Sequence, residues 1–166
     1  MAPSLSIFLT GGTGYIGTAL ISAMLERGHQ VRALVRPGSE GRLPPQCEVV
    51  SGNALDPASY ANRVAPSDTF VQLVGVHHPS PSKVAEFQTI DRASGLGAIE
   101  AAKRAQVKHF IYLSVAQPAP VMKRYIAVRT ECEAVLQTTA MNITIVRPWY
   151  VLGPGHRWPY ALLPVY

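Results

Sequence analysis

The chain has 166 residues, of which 48% are hydrophobic and 15% are charged. This length and composition predict one globular domain over residues 1–166 and argue against a disordered chain. The net charge of +5 favours an anionic ligand. Nucleic acid is not the expected partner, because the sequence has no dense run of lysine and arginine and no spacing typical of RNA-binding or zinc-binding motifs.

The cysteines and the hydropathy of the chain indicate the cellular compartment. Cys47 and Cys132 lie far apart and outside metal-binding spacings, so we expect no disulfide framework and no metal site. A reducing compartment is the simpler interpretation. The apolar run at residues 5–9 is too short for a signal peptide or a membrane span, so we predict a cytoplasmic protein without a transmembrane segment.

Short apolar runs separated by helical patterns recur along the chain. Six runs indicate buried strands, at residues 5–9, 31–35, 47–50, 69–76, 110–114 and 143–146. Strands that alternate with helices predict an α/β fold with a parallel sheet. We expect the Rossmann arrangement, a doubly wound sheet of strand order 3-2-1-4-5-6 with helices on both faces. Its ligand crevice would lie at the carboxyl ends of strands one and four.

Helical spacing of apolar residues occupies three stretches, at residues 16–25, 84–105 and 121–136. Gly95 and Gly97 interrupt the second of these. Asp56 and Pro57 have the residue types of an N-cap and a first helical position, so another helix is expected to begin there.

Four glycines occur within the seven residues that follow the first strand, from Gly11 to Gly17. They fit G-x-G-x-x-G and G-x-x-G-x-x-G equally well, between a strand and a helix as the motif requires. Glycine permits the tight turn, lets the backbone approach a phosphate and allows a helix to pack closely on a strand. We expect a dinucleotide pyrophosphate at this loop, with contacts from Gly11, Thr13, Gly14, Tyr15, Ile16 and Gly17. The alternatives are a turn without a ligand and a flavin dinucleotide.

The residue after the second strand discriminates between the two nicotinamide cofactors. NAD sites usually place Asp or Glu there to bind the ribose 2′-hydroxyl, whereas arginine can pair with the 2′-phosphate of NADP. This chain has Arg36, with Arg32 and Arg42 nearby. NADP is therefore the expected cofactor, while Glu40 leaves NAD possible. A solvated surface charge is the alternative interpretation of Arg36.

Five short motifs follow one another in order: LTGGTGYIG, GNALD, YLS, YIAVR and RP. Together they resemble the atypical and extended short-chain dehydrogenase/reductase superfamily, in particular its NAD(P)H-binding nucleoside-diphosphate-sugar epimerase and NmrA-like types. The resemblance covers nearly the whole chain. It implies that Asn53 and Ala54 border the adenine. It also implies that Leu73, Val74 and Gly75 cover the adenosine ribose and pyrophosphate. Residues 148–151, beginning with Pro148, would lie near the nicotinamide.

The same resemblance implies a catalytic serine, tyrosine and lysine. In the family the tyrosine is the acid/base, the lysine binds the nicotinamide ribose and the serine orients the substrate oxygen. On this chain the positions are Ser114 after strand five, Tyr125 on the following helix and, one helical turn later, Arg129 in place of lysine. Arginine keeps the positive charge but does not deprotonate, so we expect no proton relay through it. The structural alternatives are a strand-end cap for Ser114 and a surface aromatic for Tyr125.

Two functions are compatible with these residues. The first is an NADP-dependent oxidoreductase or epimerase/dehydratase-like enzyme that acts on a small carbonyl or alcohol. The second is a non-catalytic NAD(P)(H)-binding redox sensor or accessory subunit, because arginine replaces the lysine. The apolar ending, residues 158–166, is expected to need a cover. We therefore expect the substrate-covering part to be absent or truncated, or a homodimer partner or another chain to meet this segment.

Overall fold

The computed structural model describes residues 3–118, 122–149 and 151–154. The described residues form six strands: β1 (Ser6–Thr10), β2 (Gln30–Val35), β3 (Glu48–Ser51), β4 (Thr69–Gln72), β5 (His109–Leu113) and β6 (Asn142–Val146). Neighbouring strands pair in parallel, in the order β3-β2-β1-β4-β5-β6. The predicted Rossmann order is confirmed. Because β1 lies between β2 and β4, the strand order reverses there, and a ligand is expected to bind at the carboxyl ends of β1 and β4.

Helices cover both faces of this sheet, as predicted. The helical elements are α1 (Tyr15–Glu26), α2 (Val84–Glu86), a π-helical segment (Phe87–Arg92), α3 (Ala93–Arg104) and α4 (Lys123–Gln137). On one face, Ile21 of α1 packs with Leu9 of β1. On the other face, Ala98 of α3 and Cys132 of α4 pack with Phe8 of β1. Alternate residues of β1 therefore contact different helical layers.

Three phenylalanines from adjacent strands form the centre of the second face. Phe8, Phe70 and Phe110 are completely buried, with ring centroids 5.2 Å apart for the first two and 5.1 Å apart for the last two. Tyr60 stacks on Phe8 at 6.1 Å. Buried aromatic rings remove large apolar areas from water, so this row stabilises β1, β4 and β5. The loops of the candidate site begin at the ends of these strands.

The predicted end of the fourth strand is wrong: β4 ends at Gln72, not at Val76. The Gln72 side chain accepts a hydrogen bond from the Thr10 hydroxyl and donates to Ser94 (3.1 Å). On β5, the residue after the partner of Gln72 is Leu113. Its carbonyl would extend the ladder between β4 and β5, but it accepts a hydrogen bond from Arg129 instead (2.9 Å). The ladder between β4 and β5 thus ends at Gln72 and Tyr112, although the amide of Leu73 still donates to the carbonyl of Thr10 (3.2 Å).

Two predicted helices also differ in extent. Asp56 accepts a hydrogen bond from the amide of Ala58 (3.2 Å), as an N-cap does, but only two short 3₁₀ turns follow, Pro57–Ser59 and Ala61–Arg63. The last predicted helix begins at Lys123, and Val121 lies outside the described residues.

The helix is continuous through Gly95 and Gly97, which the sequence suggested would interrupt it. Both glycines are places where another residue packs closely against the helix backbone. A Cβ on Gly95 would lie 2.8 Å from Sγ of Cys132, and one on Gly97 would lie 2.6 Å from Cγ of Pro57. The irregular part of the stretch is the π-helical segment further upstream, Phe87–Arg92.

Candidate functional site

The loop after β1 turns sharply and enters α1. Gly11 has φ of +79°, a conformation that favours glycine, and its carbonyl accepts a hydrogen bond from the amide of Gly14 (3.1 Å). A Cβ on Gly17 would lie 2.8 Å from Cα of Gly12. The loop thus has the tight turn and the close packing against the following helix that are typical of a phosphate-binding loop.

The amino end of α1 is open to an anion. Gly14 is its N-cap, no side chain caps the helix, and the first turn contains no acidic residue. Gly14 is exposed, and a Cβ on it would meet only the carbonyl oxygen of Gly11, at 3.3 Å. The amide groups of the first helical turn and the positive end of the helix dipole favour a phosphate here. A dinucleotide pyrophosphate therefore fits this end of the loop, next to the half-buried Thr13 and Ile16.

The loops after β1 and β4 contact each other directly. A Cβ on Gly11 would lie 3.0 Å from the carbonyl carbon of Leu73 and 3.1 Å from the amide nitrogen of Val74. The structure thus brings three of the predicted cofactor residues together at one edge of the sheet. Tyr15, at the start of α1, lies against Gly153, where a Cβ would be 3.4 Å from Cζ of the phenol.

Arg36 follows β2 at the same edge and is exposed. Within the described ranges its side chain forms no hydrogen bond and no ion pair. Arg32 is committed elsewhere, since its guanidinium donates to Glu48 (3.1 Å) and to the carbonyl of Val64 (3.3 Å). Of these two arginines, Arg36 is the one whose guanidinium remains available to an anionic ligand.

Asn53 and Ala54 follow β3, the neighbour of β2. The amide of Gly52 donates to the carbonyl of Val35 (3.0 Å), so this turn begins beside the end of β2. The side chain of Asn53 accepts from the amide of Leu55 (3.0 Å), which fixes a local turn. The predicted adenine border and Arg36 therefore lie on adjacent strand ends.

Ser114 follows β5 and is buried. Its amide donates to the carbonyl of Val146 (2.8 Å). The hydroxyl makes no hydrogen bond of ordinary geometry to the described residues, although it helps to lower the pKa of Glu133. Pro148 lies beside this strand end, because its carbonyl accepts from the amide of Ala116 (3.1 Å). Tyr150, within the segment predicted near the nicotinamide, lies outside the described residues.

Tyr125 and Arg129 lie together on α4, with the guanidinium carbon 5.3 Å from the centre of the phenol ring. Tyr125 also packs on Phe87, at 5.0 Å between ring centroids. Arg129 is buried and forms an ion pair with Asp91. The structure therefore brings Tyr125 and Arg129 together and sets Arg129 against Leu113, the residue before Ser114. In the part of the chain described here, no hydrogen bond joins Ser114 to Tyr125.

The charges around Arg129 are strongly coupled. Burial raises the pKa of Asp91, and the contact with Arg129 opposes that rise. For Arg129, burial disfavours the charged form, but Tyr112, Tyr125 and Asp91 together hold its pKa above the ordinary value. Arg129 is therefore a permanent cation. Burial likewise raises the pKa of Tyr112.

Two acidic residues of this site were not predicted from the sequence, Asp91 and Glu133. Both are buried, and each pairs with an arginine. Asp91 lies on the buried side of the helical stretch, at helical spacing from Ser94 and Ala98. A carboxylate at a core position of a helical pattern is the signal that could have identified it, because such a charge needs a partner.

Within the described ranges, no helix is long and apolar enough to cross a membrane. Likewise, these ranges contain no group of three or more His, Cys, Asp or Glu side chains placed to hold a metal ion.

Comparison with known proteins gives one match to a family model and several relatives. The model of a family described as NAD(P)H-binding matches residues 11–157. A ceramide reductase from Caulobacter vibrioides is 26% identical over 151 residues, covering 90% of this chain and 47% of the relative. A 3 beta-hydroxysteroid dehydrogenase/Delta 5-->4-isomerase from Mycobacterium tuberculosis is 32% identical over 118 residues, covering 65% of this chain and 31% of the relative. A photosystem II assembly factor from Cyanophora paradoxa is 24% identical, covering 86% and 44%.

The chain thus spans less than half the length of these relatives.

Solved structures agree with this chain in fold. The Bordetella bronchiseptica enzyme WbmH in complex with NAD+ has a TM-score of 0.76 at 21% identity, covering 92% of this chain and 58% of that one. A UDP-galactose 4-epimerase has a TM-score of 0.78 at 18% identity, covering 95% and 62%. At such identities the likeness extends to the fold alone.

Proposed function

Because this chain belongs to the NAD(P)H-binding family, we propose that it binds NADP(H) and serves an oxidoreductase or epimerase/dehydratase-like reaction on a small carbonyl or alcohol. Membership confirms the resemblance to short-chain dehydrogenases/reductases drawn from the motifs. The observation that carries the proposal is the contact of the glycine loop with Leu73 and Val74 at the carboxyl ends of β1 and β4. That position is where open α/β sheets bind nucleotides.

The described residues have the chemistry to hold each part of the cofactor. The start of α1, which no side chain caps, suits the pyrophosphate. Arg36 suits the 2′-phosphate, because it is exposed and has no partner within the described ranges. The remaining proposed contacts are Asn53 and Ala54 at the adenine, Leu73 to Gly75 at the adenosine ribose and pyrophosphate, and Pro148 near the nicotinamide.

When bound, the nicotinamide ring supplies or accepts a hydride at C4. Tyr125 is the proposed acid/base, whose phenol gives a proton to the substrate oxygen or takes one from it. Ser114 would orient that oxygen, and its buried hydroxyl lacks a hydrogen bond of ordinary geometry within the described ranges. Arg129 contributes a permanent positive charge beside the Tyr125 ring and takes no part in proton transfer.

A second candidate is a protein that binds the cofactor without turnover. One observation favours it: both terminal nitrogens of Arg129 are engaged, with Asp91 and with the carbonyl of Leu113. A guanidinium held in this way has no terminal nitrogen left over for the ribose contact that the resemblance assigns to the lysine. The relative from Cyanophora paradoxa is described as an assembly factor, not as an enzyme.

The two candidates separate in one experiment. The purified chain is incubated with NADPH and a panel of aldehydes and ketones, as wild type, as Tyr125→Phe and as Tyr60→Phe. Tyr60 is a matched control, since its hydroxyl is buried without a hydrogen-bond partner in the described chain.

Turnover that falls about 100-fold or more in Tyr125→Phe and stays unchanged in Tyr60→Phe supports the enzyme. Unchanged turnover in Tyr125→Phe would refute the role of this phenol. NADPH binding without turnover of any carbonyl favours the second candidate.

A further inference from the structure

A buried ion pair between Asp91 of the π-helical segment and Arg129 of α4 lies beneath the loop after β4. Asp91 is 0% exposed and Arg129 is 4% exposed. Nη2 of Arg129 contacts the carboxylate, and Nη1 donates to the carbonyl of Leu113 (2.9 Å). The pair thus joins two helical elements to the end of β5.

Asp91 also holds the chain that follows β4. The amide of Val76 donates to both of its carboxylate oxygens, at 3.4 and 3.3 Å. Gly75 lies directly against the pair: a Cβ there would collide with Nη2 of Arg129 and lie 2.9 Å from Oδ1 of Asp91. The backbone of this loop therefore rests on the ion pair with no side chain between them.

The energetics of burial favour a geometric role for the pair. Desolvation of two charges offsets much of their attraction, so a buried ion pair is weak evidence for stability by itself. A buried pair that also binds backbone groups fixes the position of those groups. Here the groups are the N–H of Val76 and the C=O of Leu113, which belong to the chain after β4 and to the end of β5.

From these contacts we infer that Asp91 is a positioning residue, which acts with Arg129 to hold residues 73–76 in the shape that receives the cofactor. The inference rests on the proposed function, in which Leu73 to Gly75 cover the adenosine ribose and pyrophosphate. A loop held in place before binding loses less conformational freedom when the ligand arrives. Arg129 then serves as the counter-charge of Asp91 and supports the loop from below.

A second ion pair between the same two elements provides a matched control. Arg92 and Glu131 neighbour the first pair in sequence, and Nη2 of Arg92 lies 2.6 Å from Oε1 of Glu131. Their side chains are 41% and 42% exposed. Within the described ranges, neither side chain bonds residues 73–76. Glu131→Gln therefore breaks a pair between these elements without touching the loop.

The test compares NADPH affinity by fluorescence titration, at a temperature well below every unfolding midpoint. Asp91→Asn removes the charge that binds Arg129, and Gly75→Ala pushes the loop off the guanidinium without changing any charge. We expect each change to weaken binding about tenfold. The double variant should bind about as weakly as either single variant, because both changes disturb one contact. Glu131→Gln should match the wild type.

Hydrogen exchange at the Val76 amide gives a readout in the wild type, which holds even if Asp91→Asn does not fold. We expect this amide to be protected without cofactor, because Asp91 accepts its hydrogen bond. Exchange as fast as in an open loop would overturn the inference. The inference would also be overturned if the wild type bound NADPH no better than the folded variants. Additive losses of affinity in the double variant would overturn it as well. Failure of the wild type to bind NADPH or NADH would overturn the proposed function instead.

Discussion

The guanidinium of Arg147 binds the buried carboxylate of Glu133 through two hydrogen bonds, 3.0 Å from Nε and 2.5 Å from Nη2. Glu133 lies on α4, and Arg147 follows β6, so the pair ties the last helix to the edge strand. Burial alone would raise the pKa of Glu133, but the hydrogen bonds and charge of Arg147, together with the Ser114 hydroxyl, outweigh burial and hold that pKa below its ordinary value. The fold is thus stabilised by the ionised form of Glu133.

This pair predicts a pH-dependent stability. A carboxyl whose pKa is lower in the folded chain stabilises the fold above its unfolded pKa of about 4.3, and the contribution is lost as the pH falls through the folded value. We expect Glu133→Gln to lower the free energy of unfolding at neutral pH by about 1–2 kcal/mol. In urea denaturation, the difference in free energy of unfolding between Glu133→Gln and the wild type should become smaller as the pH falls through the acidic range.

The exposed Glu100 provides the control, because Glu100→Gln breaks only surface pairs with Lys103 and Arg104. It should leave the neutral-pH stability unchanged within error. A difference between Glu133→Gln and wild type that stays constant down to strongly acidic pH contradicts the assignment.

The close approach of α1 to the glycine loop predicts a large cost for one methyl group. In Gly17→Ala the new Cβ would lie 2.8 Å from Cα of Gly12, so the helix has to move away from the loop. We expect the free energy of unfolding to fall by about 1–3 kcal/mol. Gly41→Ala is the control, since a Cβ there meets nothing within 4 Å. Equal unfolding midpoints in urea for the two variants are the result that would count against this packing.

Cofactor preference is predicted to depend on Arg36. Its guanidinium is proposed to meet the 2′-phosphate, which NADPH carries and NADH lacks. Arg36→Gln should weaken NADPH binding about tenfold and leave NADH binding unchanged. Arg27→Gln removes an exposed arginine just after α1, away from the strand ends that hold the proposed cofactor contacts, and should change neither. Titrations in which Arg36→Gln loses affinity equally for both cofactors, or for neither, rule out this role.

Both thiols are predicted to be unreactive in the folded chain. Cys47 and Cys132 are buried. Burial raises the pKa of Cys47 to about 11 and also raises the pKa of Cys132, so little thiolate forms at neutral pH. We expect no modification by a thiol-specific disulfide reagent under native conditions and modification of both residues in concentrated denaturant. Rapid modification of either cysteine without denaturant would show that its surroundings are open.

Periodicity and glycine spacing predicted the strands and the glycine loop, because both depend on residues close together in sequence. The strand order followed from the alternation of strands with helices, which restricts how a parallel sheet can be connected. The same signals placed the end of β4 four residues too late. The apolar residues 73–76 are typical of a buried strand, but here they form a loop. In the structure the Val76 amide binds Asp91, whose partner Arg129 lies 38 residues further along the chain.

Sequence patterns also fail to show what a glycine does inside a helix. Gly95 and Gly97 predicted an interruption, whereas each marks a place where another element touches the helix backbone. Only the packed structure shows that the neighbours are Cys132 and Pro57.

The binding of a nicotinamide dinucleotide at the loop from Gly11 to Gly17 is tested most directly by fluorescence titration of three chains with NADPH. These are the wild type, Gly14→Ser and Gly14→Asp. Gly14 has φ of −81° and is the N-cap of α1, so serine and aspartate both suit the position and both cap the helix. Only aspartate adds a negative charge where the pyrophosphate is proposed to lie.

We predict saturable binding by the wild type, a modest change for Gly14→Ser and binding at least about tenfold weaker for Gly14→Asp, although its helix is better capped. Absence of saturable binding of NADPH and NADH by the wild type, or equal affinities for Gly14→Asp and Gly14→Ser, would contradict a phosphate site at this loop.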